Sequence, residues 1–205
     1  MDDWELSIYI REVINQAETV KMAAQDFNST RTHPQQDSVP RAFMAVQSIL
    51  AASSMISKLL WPNPSPVDRH CQKLIGEPEQ QRKRTINRGK SLRKILVQKT
   101  DDTQPIEHNR TVRNAFEHFD ERLDIFVHDE ASGSRTVVDR NIIPKSVINI
   151  NGAEPRHLRR IDPTTVSISV LDNSVDLRPL VTLIERIQAR AIEWLGAHDA
   201  LAPGR

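Results

Sequence analysis

Residues 111 to 128 read Thr-Val-Arg-Asn-Ala-Phe-Glu-His-Phe-Asp-Glu-Arg-Leu-Asp-Ile-Phe-Val-His. At about 100° per residue on a helix, Asn114, His118 and Glu121 share one face. Arg113 and Glu117 stand at one edge of that face and Arg122 at the other. An amide, an imidazole, carboxylates and a guanidinium are thus gathered on one rigid element. An imidazole titrates near neutrality and can take or give a proton. A guanidinium can hold a phosphate and stabilise negative charge as it develops. The same residues also fit a plain solvated face, because Arg113 and Glu117 form an ordinary i,i+4 ion pair. The opposite arc holds Val112, Phe116, Phe119, Leu123, Phe126 and Val127, which are expected to face the core.

The run Arg113-Asn114-Ala115-Phe116-Glu117-His118 resembles the R-x4–6-H motif of the HEPN family, helical bundles found in prokaryotic toxins and RNA-cutting effectors. The family motif prefers a polar residue after the arginine, and Asn114 fits. The resemblance implies a four- or five-helix up-and-down bundle that dimerises, with two motifs facing each other across the dimer cleft. It implies RNA cleavage without metal, in which the 2′-hydroxyl attacks the adjacent phosphate. By that carry-over Arg113 binds the scissile phosphate, His118 carries the proton and Asn114 orients the site. Many members of the family are non-catalytic, so a module for protein or nucleotide binding and dimerisation is the alternative. A second match, Arg122 to His128, lacks the polar residue, since Leu123 follows the arginine.

Between Arg82 and Lys99 stand eight basic side chains and no acidic one: Arg82, Lys83, Arg84, Arg88, Lys90, Arg93, Lys94 and Lys99. The first seven are candidate RNA contacts, since such a segment can track a phosphate backbone. The competing reading is that the six carboxylates of residues 117–130 lie on the next helix and neutralise it. Arg156, His157, Arg159 and Arg160 form a second basic cluster, read as a solvated loop. The histidines at 33, 70, 108, 118, 128, 157 and 198 show no HExxH and no Cys/His pairing. No Walker loop, GxGxxG or GxSxG is present, and no metal or cofactor is expected.

The elements that must position these groups are mostly helical. Trp4, Ile8, Val13, Ala17, Val20 and Ala24 give a first helix from Asp3 to about Phe27, capped by Asp2 or Asp3. Ser38 precedes a second helix with Pro40 in its first turn, running from about Val39 to Leu60. It is apolar around most of its circumference and so is expected to be central. Trp61-Pro62-Asn63-Pro64-Ser65-Pro66 ends it. A third helix is expected from about Pro78 to Val97, a fourth from about Gln104 to His128, and a last from about Asp176 to Leu195. Between the last two come Val137, Val138, Ile142 and Ile143, and then Val147-Ile148-Asn149-Ile150, β-branched but for Asn149. Residues 164 to 171 alternate as a half-buried strand, and Asp172-Asn173-Ser174 turns the chain. The expected class is mainly α: a four- to five-helix up-and-down bundle with a small β insertion before the last helix. Residues 1–130 with 176–196 form the bundle, 131–175 the insertion of the same domain, and 197–205 a flexible tail.

The chain has 205 residues, enough for one domain with a core. Aromatics are 4 % of it, too few for an aromatic platform on which bases stack. Basic and acidic residues nearly cancel, 28 against 27, which excludes both a basic-tail nucleic-acid binder and an acidic disordered chain. Cys71 is the only cysteine, so no internal disulfide forms. The start Met1-Asp2-Asp3-Trp4-Glu5 lacks a basic, apolar signal. The longest uncharged stretch, Ala42 to Ser57, is 16 residues long with four serines, shorter and more polar than a membrane span. A cytoplasmic protein is expected, without membrane contact. The expected partners are a second copy through helix 111–128, RNA, and a protein such as an antitoxin.

Overall fold

Two reciprocal hydrogen bonds start the first helix. Glu5 N–H donates to Asp2 Oδ1 at 2.8 Å, and Asp2 N–H donates to Glu5 Oε2 at 3.2 Å. Asp2, not Asp3, is therefore the cap. The computed structural model describes residues 1–32, 37–63, 78–128, 136–144 and 155–198. Helix α1 covers Asp3–Thr32, one turn longer than the sequence pattern marks, and α2 covers Ser38–Leu60. Helix α3 is Pro78–Leu96, α4 Gln104–Glu117, α5 Phe119–His128 and α6 Leu177–His198. The chain is mainly helical, with a small strand insertion before the last helix.

Helix α2 is the centre. It buries Ala42, Phe43, Val46, Ile49, Ile56 and Leu60, together with Ser53, Ser54 and Ser57. The small residues let neighbours approach closely, and each fully buried Ile or Leu contributes about 1.5–3 kcal/mol of apolar transfer. Helix α1 packs along α2, and α3 and α4 also rest on it. Helix α6 closes the far side against α1, with Leu180, Leu183, Ile184, Ile187 and Ala191 inward. By length and composition α2 could cross a membrane, but 61 % of its apolar window is buried inside the fold, as in a core helix.

Among the described residues the insertion carries six short strands: β1 Val137–Val138, β2 Asn141–Ile142, β3 Arg156–His157, β4 Arg159–Asp162, β5 Ser167–Val170 and β6 Asn173–Asp176. Strands β1 and β3 pair in parallel. The other four form a sheet in the order β2-β4-β5-β6, parallel between β2 and β4 and antiparallel beyond. Ile161, Ile168, Val170 and Val175 are buried, and β6 packs on α4. The predicted strand at 164–171 is thus β5, and the chain turns at Leu171-Asp172, one residue earlier than the polar triplet indicates. The apolar run Val147 to Ile150, together with Cys71, His33 and His70, lies outside the described residues.

One expectation fails. The stretch from Gln104 to His128 is not one helix: it breaks at His118, which ends α4 with φ −108° and ψ 38°. Backbone bonds still bridge the break, from His118 N–H to the Asn114 carbonyl at 3.0 Å and from Arg122 N–H to the His118 carbonyl at 3.2 Å. The expected core face holds only in part, with Phe116 and Phe119 packed against the core beside Val112. Val112 is buried, Phe116, Phe119, Leu123 and Phe126 are half-buried, and Val127 is exposed. No residue of α5 is buried. Arginines from the strands cover its aromatics instead. The Arg156 guanidinium lies 3.6 Å from the Phe126 ring centre and donates to the Phe126 carbonyl at 3.0 Å. Arg159 lies 4.5 Å over Phe119 and is ion-paired with Asp139. The cluster 156–160 is therefore not a solvated loop but two strands whose cations hold α5 down.

Candidate functional site

Asn109 ties the motif helix to the core. It is fully buried on α4, and its Nδ2 donates to the Leu50 carbonyl at 3.2 Å and to Ser54 Oγ at 3.0 Å. That staple fixes α4 against α2 and presents Arg110, Arg113 and Asn114 toward a cavity of about 370 Å³ between α2, α3 and α4. Its described lining supplies four cations, Lys58, Arg88, Arg110 and Arg113. Ser54, Thr85, Asn63 and Asn114 add hydroxyl and amide groups, and Pro62 completes it. No carboxylate is among the described lining residues.

Arg113 is half-buried, with 20 % of its side chain exposed, and is bonded to Glu117 one turn on. Lys58 and Arg110 have no carboxylate partner among the described residues. Arg88 is held by its other contacts. Its Nη2 donates to the Lys58 carbonyl at 3.3 Å, and its guanidinium lies 5.3 Å over the Tyr9 ring. Its Nε is buried without a hydrogen-bond partner among the described residues.

The structure brings Arg113 and Asn114 to one cavity and leaves His118 outside its lining. His118 sits on the break between α4 and α5 with 59 % of its side chain exposed, and its Nδ1 stands 3.6 Å from Glu121 Oε1. Within one chain the two ends of the motif thus do not converge on one reacting atom.

The seven candidate RNA contacts separate into three groups. Arg82, Lys83, Lys90 and Lys94 are exposed. Lys83 is paired with Glu79 of its own helix at 2.8 Å, whereas Arg82, Lys90 and Lys94 have no carboxylate partner among the described residues. Arg84 and Arg88 line a second cavity, of about 560 Å³, with Tyr9, Gln81 and Asn87. Arg93 turns inward: it donates to the Leu60 carbonyl and lies 6.0 Å over Trp61, fastening the end of α2. Helix α3 packs on α2, α6 and α1. Its exposed cations are therefore not cancelled in the way that pairing with the acidic helix would require.

Sequence reasoning missed Lys58, Arg110, Ser54 and Thr85. Arg110 was findable, since it stands one turn before Arg113 on the same helix face. Lys58 was not, because only the approach of α2 and α3 places it there. Comparison with family models, characterised proteins and solved structures finds no match for this chain.

Proposed function

We propose that this chain is a HEPN-like domain that binds RNA through its phosphates and cleaves it as a homodimer, without a metal ion. The observation that supports it is the setting of the motif: Arg113 and Asn114 face a cation-lined cavity, and His118 stands one turn away with an exposed ring. On this reading α1, α2, α3, α4 and α6 are the up-and-down bundle. Arg113 holds the scissile phosphate and Asn114 orients it. His118 takes the proton of the 2′-hydroxyl as that oxygen attacks phosphorus, the bond to the 5′-oxygen breaks, and the imidazolium returns the proton to the leaving oxygen, giving a 2′,3′-cyclic phosphate and a 5′-hydroxyl end. The second copy supplies the convergence that one chain lacks, and α5, which buries none of its residues, is the surface that meets it.

A second reading has its own support. Glu117 already bonds Arg113, and Glu121 faces His118, so both motif side chains have carboxylate neighbours. This favours a non-catalytic module that binds RNA, a nucleotide or a protein partner. The test is incubation of the purified chain with RNA in the presence of EDTA. Cleavage that is lost in Arg113→Ala and in His118→Ala, with the dimer intact, supports the nuclease. A dimer that binds RNA and never cuts it leaves the binding module.

A further inference from the structure

We infer that the cavity between α2, α3 and α4 is a binding site for an oligophosphate chain, of the kind carried by a nucleoside triphosphate or by the 5′-triphosphate end of an RNA. This goes beyond the nuclease reading, since Lys58, Arg88 and Arg110 lie outside the motif and the site is complete within one chain.

The argument is one of charge density. Four cationic side chains meet in about 370 Å³ with no carboxylate in the described lining. Glu117 offsets part of the charge of Arg113 from outside the lining, which leaves three cations without a carboxylate partner among the described residues. Like charges lining one cavity repel, and an anion between them relieves that repulsion. A backbone phosphodiester brings a single negative charge and is best met by cations spread along a track. An oligophosphate brings several charges within a few ångströms, which matches cations that converge. The neutral groups suit the same ligand. Ser54, Thr85, Asn63 and Asn114 can donate to non-bridging oxygens between the charged contacts. Arg88 lines this cavity as it does the second one. Its guanidinium is already oriented by the Lys58 carbonyl and the Tyr9 ring, so little side-chain entropy is lost on binding.

The test is calorimetric titration of the full chain with inorganic tripolyphosphate, a nucleoside triphosphate, orthophosphate, and one RNA sequence carrying either a 5′-triphosphate or a 5′-hydroxyl. Tripolyphosphate is expected to bind roughly tenfold or more tighter than orthophosphate, with affinity that falls as salt rises. Lys58→Gln and Arg110→Gln are exposed positions, so both variants should fold, and each should weaken tripolyphosphate by roughly tenfold. The nucleoside triphosphate and the 5′-triphosphate RNA then identify the source by which of them binds tighter than tripolyphosphate. His118→Ala should leave tripolyphosphate affinity unchanged even where it abolishes RNA cleavage, which keeps this inference separate from the nuclease. Absence of tripolyphosphate binding would overturn it, as would indifference to both substitutions.

Discussion

Asp101 is a buried carboxylate held by two arginines. Its side chain is 1 % exposed, and Arg190 donates to its two oxygens at 2.5 and 3.2 Å. Gln98 N–H adds a bond at 2.8 Å, and Arg186 stands 3.7 Å away. The Arg190 hydrogen bond holds the carboxyl below its ordinary range, against a burial that pushes it up. A carboxylate whose folded pKa is depressed stabilises the fold above its unfolded pKa of about 3.9, and loses that contribution as pH falls through the folded value. Asp101→Asn should therefore cost about 2–4 kcal/mol in urea unfolding at pH 7, since it leaves Arg190 without its partner. The deficit should narrow progressively below about pH 4. An equal deficit at neutral pH and in strong acid would sink the linkage. Arg140 makes the opposite case. It is exposed with φ 51°, a left-handed conformation that costs a side chain about 1–2 kcal/mol. Arg140→Gly should raise the melting temperature by about 2–4 °C.

Helix α3 can pass the end of α2 only because Gly89 has no side chain. A Cβ there would lie 2.5 Å from Pro62 Cδ and 2.8 Å from the Leu60 carbonyl oxygen. Gly89→Ala gains about 1 kcal/mol of helix propensity and loses about 1–3 kcal/mol to overpacking, so it should destabilise. Gly196 on α6 has nothing within 4 Å of its added Cβ, and Gly196→Ala should stabilise by up to about 1 kcal/mol. Opposite signs in chemical denaturation check the pair. The same contrast explains what could be read without coordinates. The ends of α2 and α3 follow from local signals, such as Pro40, the proline run after Trp61 and Pro78, and lie within a residue of the expected bounds. The break at His118 carries no local signal, for neither proline nor glycine stands between Phe116 and Phe119. Its consequence is met far along the chain, where Arg156 and Arg159 reach Phe126 and Phe119. The motif residues were legible as a string on one helix face. The cavity was not, because it takes Lys58 from α2, Arg88 from α3 and Arg110 from α4, and only close packing of three helices makes them neighbours.

Helix α5 stands out from the rest of the molecule, for none of its residues is buried. Ile125 and Val127 are 71 % and 69 % exposed, and among the described residues Arg156 and Arg159 hold the helix on its inner side, where Phe119 also packs on the core. Together with the α4–α5 break that displays His118, this surface is the one through which the proposed homodimer would form. Its loss can be separated from loss of the fold, because α5 contributes no buried residue to the core. Ile125→Asp with Val127→Asp should therefore leave the far-UV circular dichroism unchanged. In light scattering the wild type should run as a dimer and the double variant as a monomer, since charges placed in the apolar centre of an interface are poorly tolerated. RNA cleavage should vanish with the dimer, while tripolyphosphate affinity should persist, because every residue of that cavity belongs to one chain. A monomeric wild type, or a double variant that stays dimeric and active, would remove helix 111–128 as the contact and with it the composite catalytic site. The cation-lined cavity would stand unaffected, as a property of the packing of α2, α3 and α4.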